Sequence, residues 1–436
     1  YPSSYLVPSL FCHPGAELYR IPTFKWKQRL RQSLPTLEEA IALTASLTLS
    51  TIIPIQDLLL DGRMFTQAVY RDATAQIPSS ETPPVALVEI DTESIYRAKL
   101  PNSQLMPMNR SYIAKLLDSL RTSNASVVGI DFIFDTPQTE PPTGDKDLGK
   151  AVRQAVDAYL WLFFCAVLKP ERELGTIESL GITNWDWTLQ AYLDIYPQFV
   201  ELRNPQQDCR SVSPFAYLIS LVQTANQEIT KLPKPQTDRV TDLRTQLLDV
   251  IEQNKSKTGK LKAISQWHLP FGLQPVVDFS IPPAEVYTKI PAWKLIENPD
   301  INEFPLLSQQ VVLIAVGSDA RLGIAPGQPD RFPMSSATNY WMNSLKGYKR
   351  KQDWRKQDWM TGGESLAYMT HHLLTRRMVI PIPDVWIIGL AVILGKIVSL
   401  RLQQKSRLSQ SDCRKIAAGS LGTVILYGVA GLQLKG

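Results

Sequence analysis

VALVEIDTESI at residues 85–95, NRSYIAKLLDSL at 109–120 and SVVGIDFIF at 126–134 decide the fold class. The first opens with a mostly apolar run, VALVEI, that ends at Asp91, and it reads as a buried strand. In the second, Ile113, Leu116, Leu117 and Leu120 recur at helical spacing, with Asn109 placed as a cap. The third reads as a second strand. Strand, helix and strand at this spacing make a right-handed βαβ unit with parallel strands. Working outward, residues 145–156 read as a helix and 159–168 as another apolar stretch. VVLIAV at 311–316 reads as a further buried strand, followed by Gly317, Ser318 and Asp319, and 364–374 reads as a helix. Residues 238–254 predict a surface helix with Val240, Leu243, Leu247 and Ile251 on one face. The expected fold class is α/β, a mixed, mostly parallel sheet flanked by helices.

Composition bounds the rest. At roughly 150 residues per domain, 436 residues suggest two or three domains. With 44% hydrophobic and 20% charged residues, the bulk of the chain is globular rather than disordered. A mean hydropathy of -0.10 is too low for a polytopic transporter and suits a large polar domain with a few membrane spans. The net charge of +5 is no nucleic-acid footprint unless it clusters on one face. The 4 cysteines lie far apart in sequence, which excludes a disulfide scaffold and a zinc ribbon. Cys165 and Cys209 fall in one region, as a disulfide or as two reduced, buried thiols.

Three apolar runs flank the α/β region. AIALTASLTLSTIIPIQ at 40–56 carries no charge, and it admits two readings: a span or an ordinary buried helix. Basic residues before it (Lys25, Lys27, Arg29, Arg31) favour a span entering from the cytoplasm. Residues 379–402 form the second candidate. IAAGSLGTVILYGVAGLQL at 416–434 is the third and clearest. Its glycines suit close helix packing, including a homodimer, although they could also face lipid. Arg401, Lys405, Arg407, Arg414 and Lys415 lie between the last two runs and assign that loop to the cytoplasm. The expected organisation is a leader at 1–35, a span at 36–60, an extracytoplasmic domain at 62–378, a span at 379–402, a basic loop at 403–415 and a span at 416–434. The charge run from Lys346 to Lys356 reads as a solvated loop, with anionic headgroups as the alternative partner. The chain opens on Tyr1 and is read as part of a longer polypeptide.

No nucleotide-binding, serine-hydrolase or zinc-protease motif is present. Gly395-Lys396 and Gly259-Lys260 lack the spacing of a phosphate loop. His371 and His372 are adjacent, so they would point to different sides of a helix and cannot form an i, i+4 zinc pair. One carboxylate set carries a candidate site. Asp91, Asp135 and Asp319 each follow a predicted strand, so parallel strands would bring them to one edge of the sheet, where α/β folds bind ligands. There they would hold a divalent cation, take donors from a polar ligand, or simply cap helices. Asp131 lies within a predicted strand and needs a partner if buried; it is either structural or aimed into the same cleft.

The region 85–385 resembles a CHASE2 domain, the extracytoplasmic sensory domain of bacterial transmembrane receptors. The resemblance rests on VALVEIDTESI, MPMNRSYIAKLLDSL at 106–120, ASVVGIDFIFDTP at 125–137 and GDKDLGKAV at 144–152. It continues through VVLIAVGSDA at 311–320, PGQPDRFP at 326–333 and ESLAYMTHHLLTRRMVIPIPDVW at 364–386. There are departures. The family's Gly-x-Trp-Pro-Trp-x-Arg-like stretch is LPNSQLMPMNR here, keeping Pro107 and Arg110. A mid-domain Asp-x-Asp-Gly-x-x-Arg-like segment has only a poor counterpart at Asp208-Cys209-Arg210. Leu366-Ala367-Tyr368 stands where the family often has His-Ala. Two apolar runs follow the domain where the family commonly has three. The leader PSLFCHPGAELYRIP at 8–22 resembles the segment that follows caspase-like or CHAT-type domains in some cyanobacterial proteins of this kind.

The resemblance implies a non-catalytic sensor in a bacterial inner membrane, without a cofactor, that passes a small-molecule or envelope signal to a cytoplasmic output domain of the same longer chain. Its candidate ligand residues are Asp91, Asp131, Asp135, Asp319 and Arg110. The alternatives are a metal-assisted hydrolase built on the strand-end carboxylates and a membrane scaffold that senses nothing.

Overall fold

The computed structural model describes residues 53–78, 82–168, 173–193, 213–238, 242–254, 276–298, 304, 306–323, 330–344, 359–377, 379–380 and 434–435. The chain divides into two units, residues 1–55 with 384–413 and residues 56–383 with 414–436. The description below concerns the second.

Its strands are β1 (Val85–Ile90), β2 (Val127–Ile130), β3 (Trp161–Leu168), β4 (Glu173–Leu174), β5 (Leu189–Leu193), β6 (Tyr287–Pro291), β7 (Val311–Val316), β8 (Arg331–Pro333), β9 (Trp359–Thr361), β10 (Val379–Ile380) and β11 (Leu434–Lys435). Its helices are α1 (Ile53–Thr74), α2 (Thr92–Arg97), α3 (Arg110–Thr122), α4 (Gly144–Asp157), α5 (Phe215–Glu228), α6 (Leu243–Gln253), α7 (Pro283–Val286), α8 (Ala292–Glu297), α9 (Ser336–Ser344) and α10 (Gly362–Leu374).

The main sheet has seven strands. β5 pairs with β3, β3 with β2, β2 with β7, β7 with β1 and β1 with β6, all in parallel. β4 joins β3 antiparallel. A parallel strand covered on both faces needs apolar side chains on both, and β1 and β2 are buried at every position. Alternate residues then enter two separate cores. Leu87, Val127, Phe163 and Leu313 face the layer holding α1, α5, α6 and α10. Val88, Val128, Leu162 and Ile314 face α2, α3, α4 and α8. The result is a three-layer α/β/α arrangement.

Two helices touch the sheet at glycines. A Cβ on Gly129 of β2 would stand 2.8 Å from the Phe215 ring at the start of α5. A Cβ on Gly363 of α10 would stand 2.4 Å from Cβ of Ala315 on β7. Leu60, Met64 and Ala68 recur every fourth residue of α1 and put its inner face into the core. α6 is capped by Asp242 and buries Leu243, Leu247 and Ile251. It is a surface helix whose stripe seals the core; Val240 lies outside the described residues.

Two sequence expectations need correction, the second strand and the histidine pair, and the expected spans are left untested. The second strand spans Val127–Ile130 rather than 126–134, so its end residue is Asp131 and not Asp135. Among the described residues, no helix is long and apolar enough to cross a membrane. The expected spans lie almost wholly outside the described residues, and where they are described they differ: α1 passes through residue 60 and continues to Thr74, while Val379–Ile380 and Leu434 are strand. His371 and His372 do not diverge. Both are buried, with ring centroids 5.4 Å apart. The charge run 346–356, the leader and Cys209 fall outside the described residues.

Candidate functional site

The main-chain N–H of Asp131 donates to the carbonyl of Ile314 at 2.9 Å, which extends the β2–β7 pairing one residue past β2. Ile130 faces the α3 layer, so strand alternation turns Asp131 toward the α5 and α10 layer. A cavity of about 700 Å³ opens there, at the carboxyl edge of the parallel strands. Val167, Leu193 and Val316 line it from strand ends, and Phe215 and Ala216 from the first turn of α5. Gly362, Ser365, Leu366 and Met369 of α10 also line it, at the i, i+3, i+4, i+7 spacing of one helix face. The segments 105–108 and 132–134 close another side.

Asp131 and Asp330 are the charged residues of this otherwise mostly apolar lining. Burial pushes the Asp131 carboxyl up to about 7, and the neighbouring Asp330 adds to the shift. Burial also raises Asp330. The main-chain carbonyl of Asp330 accepts from Gly362 N at 3.3 Å, tying the segment before β8 to the start of α10. Among the described residues, no basic side chain pairs with either carboxylate. Cys165 lines the same cavity with a free thiol, which burial first, and then Asp131 and Asp330, hold well above its ordinary range.

The remaining predicted site residues lie elsewhere. Asp91 caps α2, accepting from Ser94 N at 2.8 Å and Ser94 Oγ at 2.7 Å. Asp319 caps the turn 320–322 and pairs with Arg321 at 2.7 Å; hydrogen bonds from Arg321 hold its carboxyl below the usual range. Capping therefore accounts for both. Asp135 sits partly buried in the loop after β2, away from any strand end. Among the described residues, no three metal-ligating side chains come together.

Arg110 is fully buried and is not part of the cavity lining. Its guanidinium pairs with Asp145 and donates to the carbonyl of Thr136, and it lies 5.1 Å from the Phe134 ring centroid. Gln138 accepts from Arg110 N at 2.9 Å, and its own N–H donates to Asp145 at 3.1 Å. Arg110 therefore fixes the loop that carries Phe134 into the cavity wall. It braces the wall of the cavity without lining it.

Two further polar clusters hold α10, and the sequence singled out neither. Thr361 and Glu364 form a reciprocal capping box at its start. Lys289 Nζ lies 2.7 Å from Glu89 and 3.6 Å from Glu364, so the box is tied to β1 and β6. At the other end, Asp278 bridges α1 and α10. Its carboxylate pairs with Arg71 at 2.9 Å, and its main-chain N–H donates to Nε2 of His372 at 2.8 Å. That bond requires a neutral imidazole. Burial, reinforced by Arg71 and Arg377, holds His372 down at about 4.

The segments that build this region belong together in a recognised pattern. The family model for the CHASE2 domain matches residues 40–400. The chain belongs to the CHASE2 domain family. CHASE2 is a sensory domain family. Nothing among the curated proteins or the solved structures matches this chain. In this CHASE2 domain the resembling segments meet physically: MPMNR supplies Arg110, DFIFDTP supplies Asp131 and Thr136, and GDKDLGKAV supplies Asp145. PGQPDRFP supplies Asp330. It was missed as a site residue because it precedes a short strand instead of ending one.

Proposed function

We propose that this CHASE2 domain is the extracytoplasmic receiver of a membrane-bound sensor, and that the cavity at the carboxyl edge of its sheet takes the signal. One observation carries the reading. The helix α10 lines the cavity with its first two turns and ends just before β10, which opens the apolar run 379–402. Occupancy of the cavity would push on α10 directly, and the Arg71–Asp278–His372 bridge links α10 to α1, which follows the run 40–56. The β10–β11 pairing sets Ile380 beside Leu434. The domain binds and does not turn over its ligand, and it signals only insofar as the ligand favours one arrangement of α1 and α10 over another.

The test is a distance measurement. Nitroxides at Ala73→Cys and Arg377→Cys, in a chain freed of its native cysteines, report the spacing of α1 and α10 by pulsed electron spin resonance. Ala216→Phe and, separately, Val316→Trp fill the cavity. The distance distribution is expected to shift in both variants. An unchanged distribution in both would show that the cavity is not coupled to these helices.

A further inference from the structure

We propose that the ligand of this cavity is a small organic cation, an apolar body bearing one ammonium group that seats between Asp131 and Asp330. The proposal rests on reading the cavity as the ligand site, and it adds the chemistry of the ligand.

The volume, about 700 Å³, lies within the range of small-molecule sites. Phe134, Val167, Phe215, Leu366 and Met369 supply walls that offer nothing to a heavily polar ligand, whose groups would each lose their hydrogen bonds to water. Asp131 and Asp330 face the same space without a basic partner among the described residues. Ionised carboxylates are acceptors only. Two of them in one cavity repel each other, and a positive charge between them relieves that repulsion. An anionic ligand would add to it. A bare divalent cation would need six or more oxygen ligands, which an apolar wall with two carboxylates does not provide. A neutral apolar ligand would leave both carboxylates without a countercharge. Aromatic rings in the lining, Phe134, Phe215 and Phe332 among them, suit a cation as well.

Three probes with one apolar body separate these cases: 2-phenylethylamine, 2-phenylethanol and 3-phenylpropionate, each titrated calorimetrically into the full chain in lipid nanodiscs, with empty nanodiscs as the blank. The amine is expected to bind at least about tenfold more tightly than the alcohol, and the acid not at all, since a charge-assisted hydrogen bond is roughly twice as strong as a neutral one. Asp131→Asn and Asp330→Asn should each bring the amine down toward the alcohol, while Asp91→Asn, which alters a cap outside the cavity, should leave the preference intact. If amine and alcohol bind equally, the cation is wrong and the cavity remains a ligand site. A preference for the acid overturns the proposal in the same way. If none of the three binds, both the cation and the reading of the cavity as a ligand site fall.

Discussion

At Asp131, a carboxyl with an ordinary value of 3.8 is held up to about 7 by its surroundings. The folded state therefore binds the proton more tightly than the unfolded chain. Its contribution is stabilising at low pH and is lost as pH rises from about 3.8 to about 7. The groups facing it are Asp330 and the Cys165 thiol. Thermal melts across this range should show Asp131→Asn losing less stability than the parent as pH rises; parallel curves would contradict the shift. At Arg110 the prediction concerns a buried charge. Asp145→Ala strands the guanidinium in the core, and breaking such a pair costs roughly 3–5 kcal/mol. Arg110→Ala leaves a carboxylate that is 19% exposed and can be hydrated, so it should cost less. Denaturant unfolding of the two variants gives the ranking directly. Sequence alone showed Asp131 and Arg110 as candidates but not their roles. Asp131 was visible as a carboxylate amid apolar neighbours, which demands an explanation. Arg110 was visible only as a retained member of a pattern, and a pattern does not say whether a residue touches the ligand or holds the residues that do.

The elements were legible where one physical rule dominates. The apolar runs of β1 and β7 and the helical spacing of α3 and α10 all mark their places, because strands buried on both faces and one-sided helices leave patterns no other arrangement needs. β2 was read too long because Phe132 and Phe134 are apolar for another reason: they line a cavity and pack a loop. β5 and β6 carry polar residues on short strands and gave no comparable signal. The close contact of α10 with β7 makes a sharp prediction. Gly363→Ala would place a methyl 2.4 Å from Cβ of Ala315, and overpacking of this kind costs roughly 1–3 kcal/mol. Gly62 lies within α1, and its Cβ would meet nothing within 4 Å. Gly62→Ala should therefore stabilise the fold by about 0.5–1 kcal/mol, through helix propensity alone. The opposite signs of these two glycine changes, read in one denaturation series, test whether Gly363 is the glycine pressed against the sheet while Gly62 faces open space.

At the scale of the whole molecule, one chain carries a cavity at the sheet edge, a helix that lines it, and apolar runs at each end of the domain. The sequence pointed to those runs through charge and hydropathy, and the α/β region between them through its strands. The proposed placement outside the cytoplasm rests on the distribution of basic residues, and the proposed direction of signalling depends on it. Native Cys165 cannot report this, since it is buried in β3. Tyr96 on α2 is 78% exposed and serves instead. In cells expressing the chain with Tyr96→Cys and its four native cysteines replaced, a membrane-impermeant maleimide should label the protein without permeabilisation, and permeabilising the cells should add little. Labelling that appears only after the inner membrane is breached would place the domain in the cytoplasm and contradict extracytoplasmic sensing.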